Sequence, residues 1–204
     1  MTVPVEPFGD AAWRVPLPPG AHPRALLDAL RAIPSVVDAV VTEEHALVAF
    51  DPASPPSRGG VQDAVLRSSA TRATAEAGRE HVVQVRYDGV DLEEVARETR
   101  MTAHEVAALH AAPTYVVATI GFMPGFAYLR GIEARLVLPR RSSPRARVPA
   151  LAIGIAGPYT GVYPFASPGG WHLLGTAVGF VPFDARSGAT LALGDRVRFV
   201  AVPP

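Results

Sequence analysis

The chain has 204 residues, 49% of them hydrophobic, and its 19 acidic and 19 basic side chains cancel at neutral pH. Balanced charge argues against general nucleic-acid binding, and no apolar run reaches the roughly 18 residues of a membrane span. The N-terminus lacks a secretory pattern, so we expect a cytoplasmic globular protein without a membrane partner.

The first 78 residues carry the pattern of a small α+β domain. Its predicted elements are, in chain order, strands 3–8 and 12–17, a helix from Pro23 to Pro34, strands 36–41 and 46–50, a loop over 51–60 and a helix over 61–69. Two strands, a helix, a hairpin and a second helix predict a sandwich of the ferredoxin-like kind.

A polar, Ala-rich segment over 71–80 predicts the domain boundary, giving domains of 1–78 and 79–204. The second domain is predicted to contain a strand 81–87, helices 91–99 and 102–111, a strand 115–120, and short strands near 136–138, 151–155, 160–163, 171–174, 190–193 and 196–201. Many short strands with regular turns indicate a closed β-barrel. Asp91 and Thr102, each followed by Glu three residues later, are interpreted as capping boxes.

The region 121–175 is the candidate site, because Gly and Pro recur there with aromatic and Arg side chains between them. The chain contains no Lys and no Cys, which excludes P-loop lysines, Schiff-base lysines and thiolate metal sites. Segment 130–147 carries six Arg and one Glu, a local excess of five positive charges (6 − 1). Prolines stiffen the backbone around these arginines, which are either ligands of a carboxylate or phosphate or part of a solvated basic loop.

Other catalytic patterns are weak. No P-loop occurs, and the six His are scattered without an HxH or HExxH pair, so no metal site is predicted. Ser167 precedes a Pro and reads more readily as a turn residue than as a nucleophile. His110 ends a predicted helix and is either structural or catalytic. Trp171 and His172 are consecutive in a predicted strand, so only one of them can line a given pocket.

From about 87 to 199 the sequence resembles the KipI/PxpB family, also known as allophanate hydrolase subunit 1. The resemblance rests on the motifs YDGVDLEEVARETR, GFMPGFAYLRGI, LPRRSSPRARVPA, IGIAG, TGVYPFASPGGWHLLGT and GDRVRF, in this order. It implies a small α+β N-terminal domain followed by a cyclophilin-like β-barrel domain. Departures from the family pattern fall on Ala127, Arg130, Leu151, Ala152, Pro158 and Tyr159.

The resemblance also implies a function. It is that of a non-autonomous subunit of an ATP-dependent 5-oxoprolinase, which opens 5-oxo-L-proline to L-glutamate with KipA/PxpC-type and LamB/YcsF-type subunits. ATP would be shared with, or bound by, those partners, and no metal is expected in this chain. The alternative, from a related branch, is a regulatory protein that inhibits a sensor histidine kinase. Prolyl isomerase activity is suggested by fold analogy alone.

Carried onto this sequence, the resemblance implies His110 as a catalytic proton carrier and a separate set of substrate- or anion-binding residues. That set consists of Pro124, Gly125, Phe126, Tyr128, Arg140, Arg145, Tyr163, Ser167, Gly169, Gly170 and Trp171. Within it, we expect Arg140 and Arg145 to bind a carboxylate or phosphate, and Tyr128 and Trp171 to form pocket walls.

Overall fold

The computed structural model of the chain describes residues 3–19, 21–70 and 78–203. It divides into two units, Met1–Ala77 and Gly78–Pro204. Most of the predicted boundary segment, residues 71–77, lies outside the described residues. Among the helices that are described, none is long and apolar enough to cross a membrane.

The first unit is a four-stranded antiparallel sheet with two helices. Its elements are β1 (Glu6–Pro7), β2 (Ala12–Pro16), α1 (Pro23–Arg31), β3 (Val36–Val41), β4 (His45–Phe50) and α2 (Arg58–Ala70). The sheet order β1-β2-β4-β3 is that of a ferredoxin-like sheet in which a short N-terminal strand occupies one edge. The predicted α+β architecture is confirmed.

Helix α2 begins at Arg58, inside the segment predicted as a loop. The Ser57 hydroxyl accepts a hydrogen bond from the Gly60 backbone N–H at 3.1 Å, which is the contact of an N-cap residue. Two glycines in the first turn lower the helix propensity there, and this composition concealed the start of the helix. The fully buried Leu26 and Leu30 of α1 form part of the core of this unit.

The second unit contains the barrel and two helices. Its elements are β5 (Glu80–Arg86), α3 (Leu92–Thr99), α4 (Ala103–Ala111), β6 (Thr114–Ile120), β7 (Ala127–Arg130), β8 (Arg145–Val148), β9 (Ala152–Ala156), β10 (Tyr159–Val162), β11 (Ser167–Gly169), β12 (His172–Val178), β13 (Phe183–Asp184), β14 (Gly188–Ala189) and β15 (Arg196–Ala201). Seven strands close the barrel in the order β10-β7-β6-β15-β5-β12-β9. The predicted β-barrel is confirmed.

Two predicted strands of this unit are wrong. Segment 136–138 overlaps a 3-10 turn, Ala134–Leu136, and 190–193 has no strand. Leu191 and Leu193 are buried nonetheless. The alternation of apolar residues, which is typical of a strand, arises here because an irregular segment places both side chains in the core. The Asp195 carboxylate holds that segment by accepting the Ala192 backbone N–H at 2.9 Å.

The two predicted capping boxes have different outcomes. The Thr102 hydroxyl accepts the Glu105 N–H at 3.2 Å, and the Glu105 carboxylate accepts the Thr102 N–H at 2.7 Å, so this capping box is confirmed. Asp91 also precedes its helix, but its side chain makes no capping hydrogen bond. The prediction at Asp91 is wrong because its carboxylate has stronger partners elsewhere in the unit.

Candidate functional site

A cavity of about 270 Å³ lies beside the glycine- and proline-rich region. We call it the aromatic cavity. Its lining residues are Phe122, Phe126, Tyr128, Arg140, Pro144, Tyr163, Pro168, Gly169, Gly170 and Trp171. Five aromatic rings and one guanidinium therefore surround a space sized for a small molecule.

The rings hold one another in edge-to-face contacts. The Phe126 centroid lies 5.3 Å from that of Tyr163 and 5.3 Å from that of Trp171, with interplanar angles of 74° and 81°. Tyr128 lies 5.7 Å from Trp171 at 65°. Such pairs are favourable beyond the area that they bury. The walls are therefore preorganised apolar faces against which a flat ligand can pack.

The motif GFMPGF forms a tight loop at this cavity. The Gly121 N–H donates to the Phe126 carbonyl at 3.1 Å, and the Phe126 N–H donates to the Met123 carbonyl at 3.0 Å. Gly125 has φ +79°, and a Cβ there would lie 2.7 Å from the Pro182 carbonyl oxygen. Pro124 and Gly125, both predicted to bind a ligand, are not among the lining residues. They shape the loop that presents Phe122 and Phe126.

Phe122 is the most exposed ring of the cavity. Its side chain is 60% exposed, and its backbone has φ +74°, a left-handed conformation that is strained for an aromatic residue. Strain of this kind costs about 1–3 kcal/mol and clusters at functional sites. The ring packs edge-on to Phe126 at 5.4 Å. The loop therefore holds an apolar side chain at the edge of the cavity at some cost in stability.

The two tyrosines of the cavity are hydrogen-bond donors rather than anions. Burial raises the pKa of Tyr163 to about 12, against a weaker lowering by Arg140 and by a hydrogen bond from the Trp171 backbone. Burial also raises the pKa of Tyr128 above its ordinary value, opposed by the Arg140 charge. Both phenols stay protonated at neutral pH and can donate to a ligand carbonyl or carboxylate.

Gly169 provides a test of how tightly this wall is packed. A Cβ at Gly169 would lie 2.6 Å from the Tyr163 hydroxyl oxygen, whereas one at the neighbouring Gly170 would lie 3.6 Å from Pro144. We expect Gly169→Ala to lower the free energy of unfolding by about 1–3 kcal/mol through overpacking. Gly170→Ala, the matched control, should stay within about 1 kcal/mol of the native chain. Equal urea midpoints for the two variants would contradict this packing.

The arginines of segment 130–147 have different roles. Arg140 is exposed, lines the aromatic cavity and makes no ion pair with any described residue. Arg141 and Arg145 both bind the Asp91 carboxylate. Arg145, predicted to bind a substrate anion, is paired with a protein carboxylate and does not line the cavity. Arg140 remains the cavity's candidate anion ligand.

Asp91 does not line the aromatic cavity, but its hydrogen-bond partners lie in the segments that do. It is 1% exposed; one carboxylate oxygen accepts from the guanidiniums of Arg141 and Arg145, and the other accepts from the Leu173 backbone N–H at 2.7 Å. Glu94 adds a second acceptor for Arg141 at 2.6 Å. One buried carboxylate thereby ties together the start of α3, the arginine-rich segment and β12. Sequence reasoning missed this role, and its one signal was the excess of Arg over Glu in 130–147.

His110 lies in the interior of the unit and does not line the aromatic cavity. It is fully buried; its Nδ1 lies 2.7 Å from the Tyr87 hydroxyl and its Nε2 lies 2.8 Å from the Thr160 hydroxyl. The Thr160 hydroxyl donates to the Gly154 carbonyl, so it accepts from Nε2–H, and Nδ1 accepts from Tyr87. Burial lowers the pKa of His110 to about 3. This imidazole is neutral, both of its ring nitrogens are hydrogen-bonded, and it is not a lining residue of the aromatic cavity.

The buried imidazole predicts a pH dependence of stability. The pKa of His110 is about 3 in the fold and 6.5 ordinarily, so between these values the unfolded chain binds the extra proton. Stability is therefore lost as the pH falls from about 6.5 towards 3, by up to about 1.4 kcal/mol per pH unit. His110→Gln should flatten this part of the curve, and His104→Gln, an exposed control on the same helix, should not. The free energy of unfolding is measured by urea denaturation at each pH. The same dependence on pH for the native chain and His110→Gln would contradict the prediction.

The remaining predicted residues divide between the wall and its supports. Phe126, Tyr128, Arg140, Tyr163, Gly169, Gly170 and Trp171 line the aromatic cavity, together with Phe122, Pro144 and Pro168, which the predicted set omits. Ser167 lies in β11, opposite Val148 of β8, and is not a lining residue. Among the residues that the structure describes, no group of three or more His, Asp or Glu is placed to hold a metal ion.

The sequence profile of the carboxyltransferase domain, subdomain C and D, matches residues 3–191. The chain belongs to this family. Two curated relatives are both named as subunits of 5-oxoprolinase. That of Bacillus subtilis is 44% identical over 115 residues, covering 56% of this chain and 48% of the relative. That of Escherichia coli O157:H7 is 46% identical over 115 residues, covering 55% and 52%.

The crystal structure of TTHA0988 shares the fold with this carboxyltransferase-domain chain. It superposes with a TM-score of 0.79 at 38% identity, covering 95% of this chain and 40% of TTHA0988. The chain spans about half the length of the curated relatives it matches. The resemblance to the KipI/PxpB family, drawn from the motifs, is confirmed.

Proposed function

We propose that this chain is a subunit of a 5-oxoprolinase that opens 5-oxo-L-proline to L-glutamate. Two relatives that are named as 5-oxoprolinase subunits support the reaction. The observation that carries the proposal is the aromatic cavity, whose lining includes Arg140, a guanidinium without an ion-pair partner among the described residues. It offers apolar faces for a small ring and a guanidinium for a carboxylate.

The substrate fits these groups chemically. The lactam of 5-oxoproline is a small, nearly flat ring, which would pack against the edge-to-face array of Phe126, Tyr163 and Trp171. Its carboxylate would take two parallel hydrogen bonds from the Arg140 guanidinium. The protonated Tyr128 hydroxyl would donate to the lactam carbonyl. These residues bind and orient the ring, and the apolar walls exclude water from it.

ATP is assigned to the complex rather than to this cavity. A volume of about 270 Å³ lies below the roughly 300–1,000 Å³ of pockets that enclose drug-sized ligands. The chain also has no Lys to contact phosphates. We propose that ATP is bound by, or jointly with, KipA/PxpC-type and LamB/YcsF-type subunits and that this chain is inactive alone.

Reconstitution with one component omitted at a time tests the proposal. This chain and the two partner subunits are purified separately, and ATP-dependent formation of glutamate from 5-oxo-L-proline is measured. We expect turnover in the complete mixture and none from this chain alone. Full turnover by the lone chain would overturn the non-autonomous role. An unchanged rate without this chain would overturn its place in the enzyme and favour the regulatory alternative.

A further inference from the structure

A second cavity, of about 240 Å³, lies next to the aromatic cavity. We call it the polar cavity. Its lining residues are Glu94, Glu98, Pro139, Arg140, Arg141, Ser142 and His172. Trp171 lines the aromatic cavity and His172 lines the polar cavity, so the prediction that only one of them lines a given pocket is confirmed. Arg140 borders both cavities.

Counting only the described residues, the polar cavity has one acidic and one basic side chain that make no ion pair. Glu94 and Arg141 are joined at 2.6 Å and neutralise each other. Glu98 and Arg140 are exposed, line the cavity, and make no ion pair with another described residue. A carboxylate and a guanidinium are therefore both available to a ligand in one small space.

His172 supplies an independent observation. It is 4% exposed, and its Nε2 lies 3.0 Å from the Pro139 carbonyl oxygen. A carbonyl only accepts, so Nε2 carries the hydrogen. Within the described part of the chain, Nδ1 is buried without a hydrogen-bond partner. A buried polar atom left unpaired is unfavourable, and this one belongs to a side chain that lines the polar cavity, where a polar ligand can compensate it.

We propose that the polar cavity binds a small zwitterion of the free amino-acid class. The ligand carboxylate would pair with Arg140 and its ammonium with Glu98, and a polar group of the ligand would lie beside His172. A dicarboxylate without an ammonium would leave the Glu98 carboxylate without a counter-charge, which disfavours it. The volume of about 240 Å³ is below that of drug-sized pockets and suits a single amino acid.

This site goes beyond the proposed function, which uses the aromatic cavity alone. Because Arg140 borders both cavities, a zwitterion in the polar cavity would compete for the guanidinium that we assign to the substrate carboxylate. The two ligands should therefore weaken each other's binding, by the same factor in both directions.

Calorimetric titration of the full chain with L-glutamate tests the site, with glutarate as the probe that lacks the ammonium. We expect saturable binding of one L-glutamate per chain and at least about 10-fold weaker binding of glutarate. Glu98→Gln should weaken L-glutamate binding by about 10-fold. Glu93→Gln is the matched control, since Glu93 is exposed on the same helix and lines neither cavity.

Three results would overturn the site. They are the absence of saturable binding up to about 10 mM L-glutamate, equal affinities for glutarate and L-glutamate, and equal effects of Glu98→Gln and Glu93→Gln. The titration uses this chain without ATP or partner subunits, so it fails or succeeds separately from the reconstituted reaction.

Discussion

Replacing Asp91 with Ala is expected to lower the free energy of unfolding by about 3 kcal/mol or more. The change leaves the guanidiniums of Arg141 and Arg145, which are only 24% and 25% exposed, without their shared counter-charge. Removing one partner of a buried ion pair typically costs about 3–5 kcal/mol. The Leu173 backbone N–H, which donates to Asp91 at 2.7 Å, also loses its acceptor.

Two further variants locate the source of this effect. Asp91→Asn keeps an acceptor for Leu173 but removes the charge, so it should be less harmful than Asp91→Ala. Glu94→Gln removes a carboxylate that is 38% exposed, and we expect a change within about 1 kcal/mol. Unfolding of the second unit can be followed by Trp171 fluorescence after Trp13→Phe, since the chain has two Trp. An Asp91→Ala midpoint equal to that of Glu94→Gln would contradict the role of Asp91.

Loss of the Arg140 guanidinium is expected to have the largest effect on activity. In the reconstituted complex, Arg140→Gln should lower kcat/KM for 5-oxo-L-proline by about 100-fold, the equivalent of roughly 3 kcal/mol of charge-assisted hydrogen bonding. The fold should be unaffected, because Arg140 is exposed and pairs with no carboxylate among the described residues.

The matched control for Arg140 is Arg147. Arg147 is also exposed, belongs to the same basic segment and lines neither cavity. Arg147→Gln should leave kcat/KM within about 2-fold of the native complex. Equal losses for the two variants would mean that the basic segment acts through its overall charge, and would contradict a specific contact at Arg140.

Most of the barrel was predictable because six of its seven strands carry local signals, namely short apolar runs separated by Gly and Pro; β7 (Ala127–Arg130) was missed. Strands β8 and β11 were missed since Arg145–Val148 and Ser167–Gly169 are rich in Arg, Pro and Gly. They exist because they pair with each other, with Gly169 opposite Arg145 and Ser167 opposite Val148. Pairing between distant segments leaves no local pattern in either one.

The aromatic wall was predictable for a different reason. Trp171 and Tyr163 sit in motifs shared with a known family, each directly beside a strand: Tyr163 follows β10 and Trp171 precedes β12. The partner of Arg145 could not be predicted, because Asp91 lies 54 residues away in sequence and itself matched a helix-capping pattern. His110 likewise gave no local sign that two hydroxyl groups would occupy both ring nitrogens.

A crystal structure of the reconstituted complex with 5-oxo-L-proline would locate the substrate directly. We expect its ring against Trp171 and Tyr163 in the aromatic cavity, with the carboxylate about 2.7–2.9 Å from the Arg140 guanidinium. Substrate bound wholly within a partner subunit, with the aromatic cavity of this chain empty, would contradict the assignment.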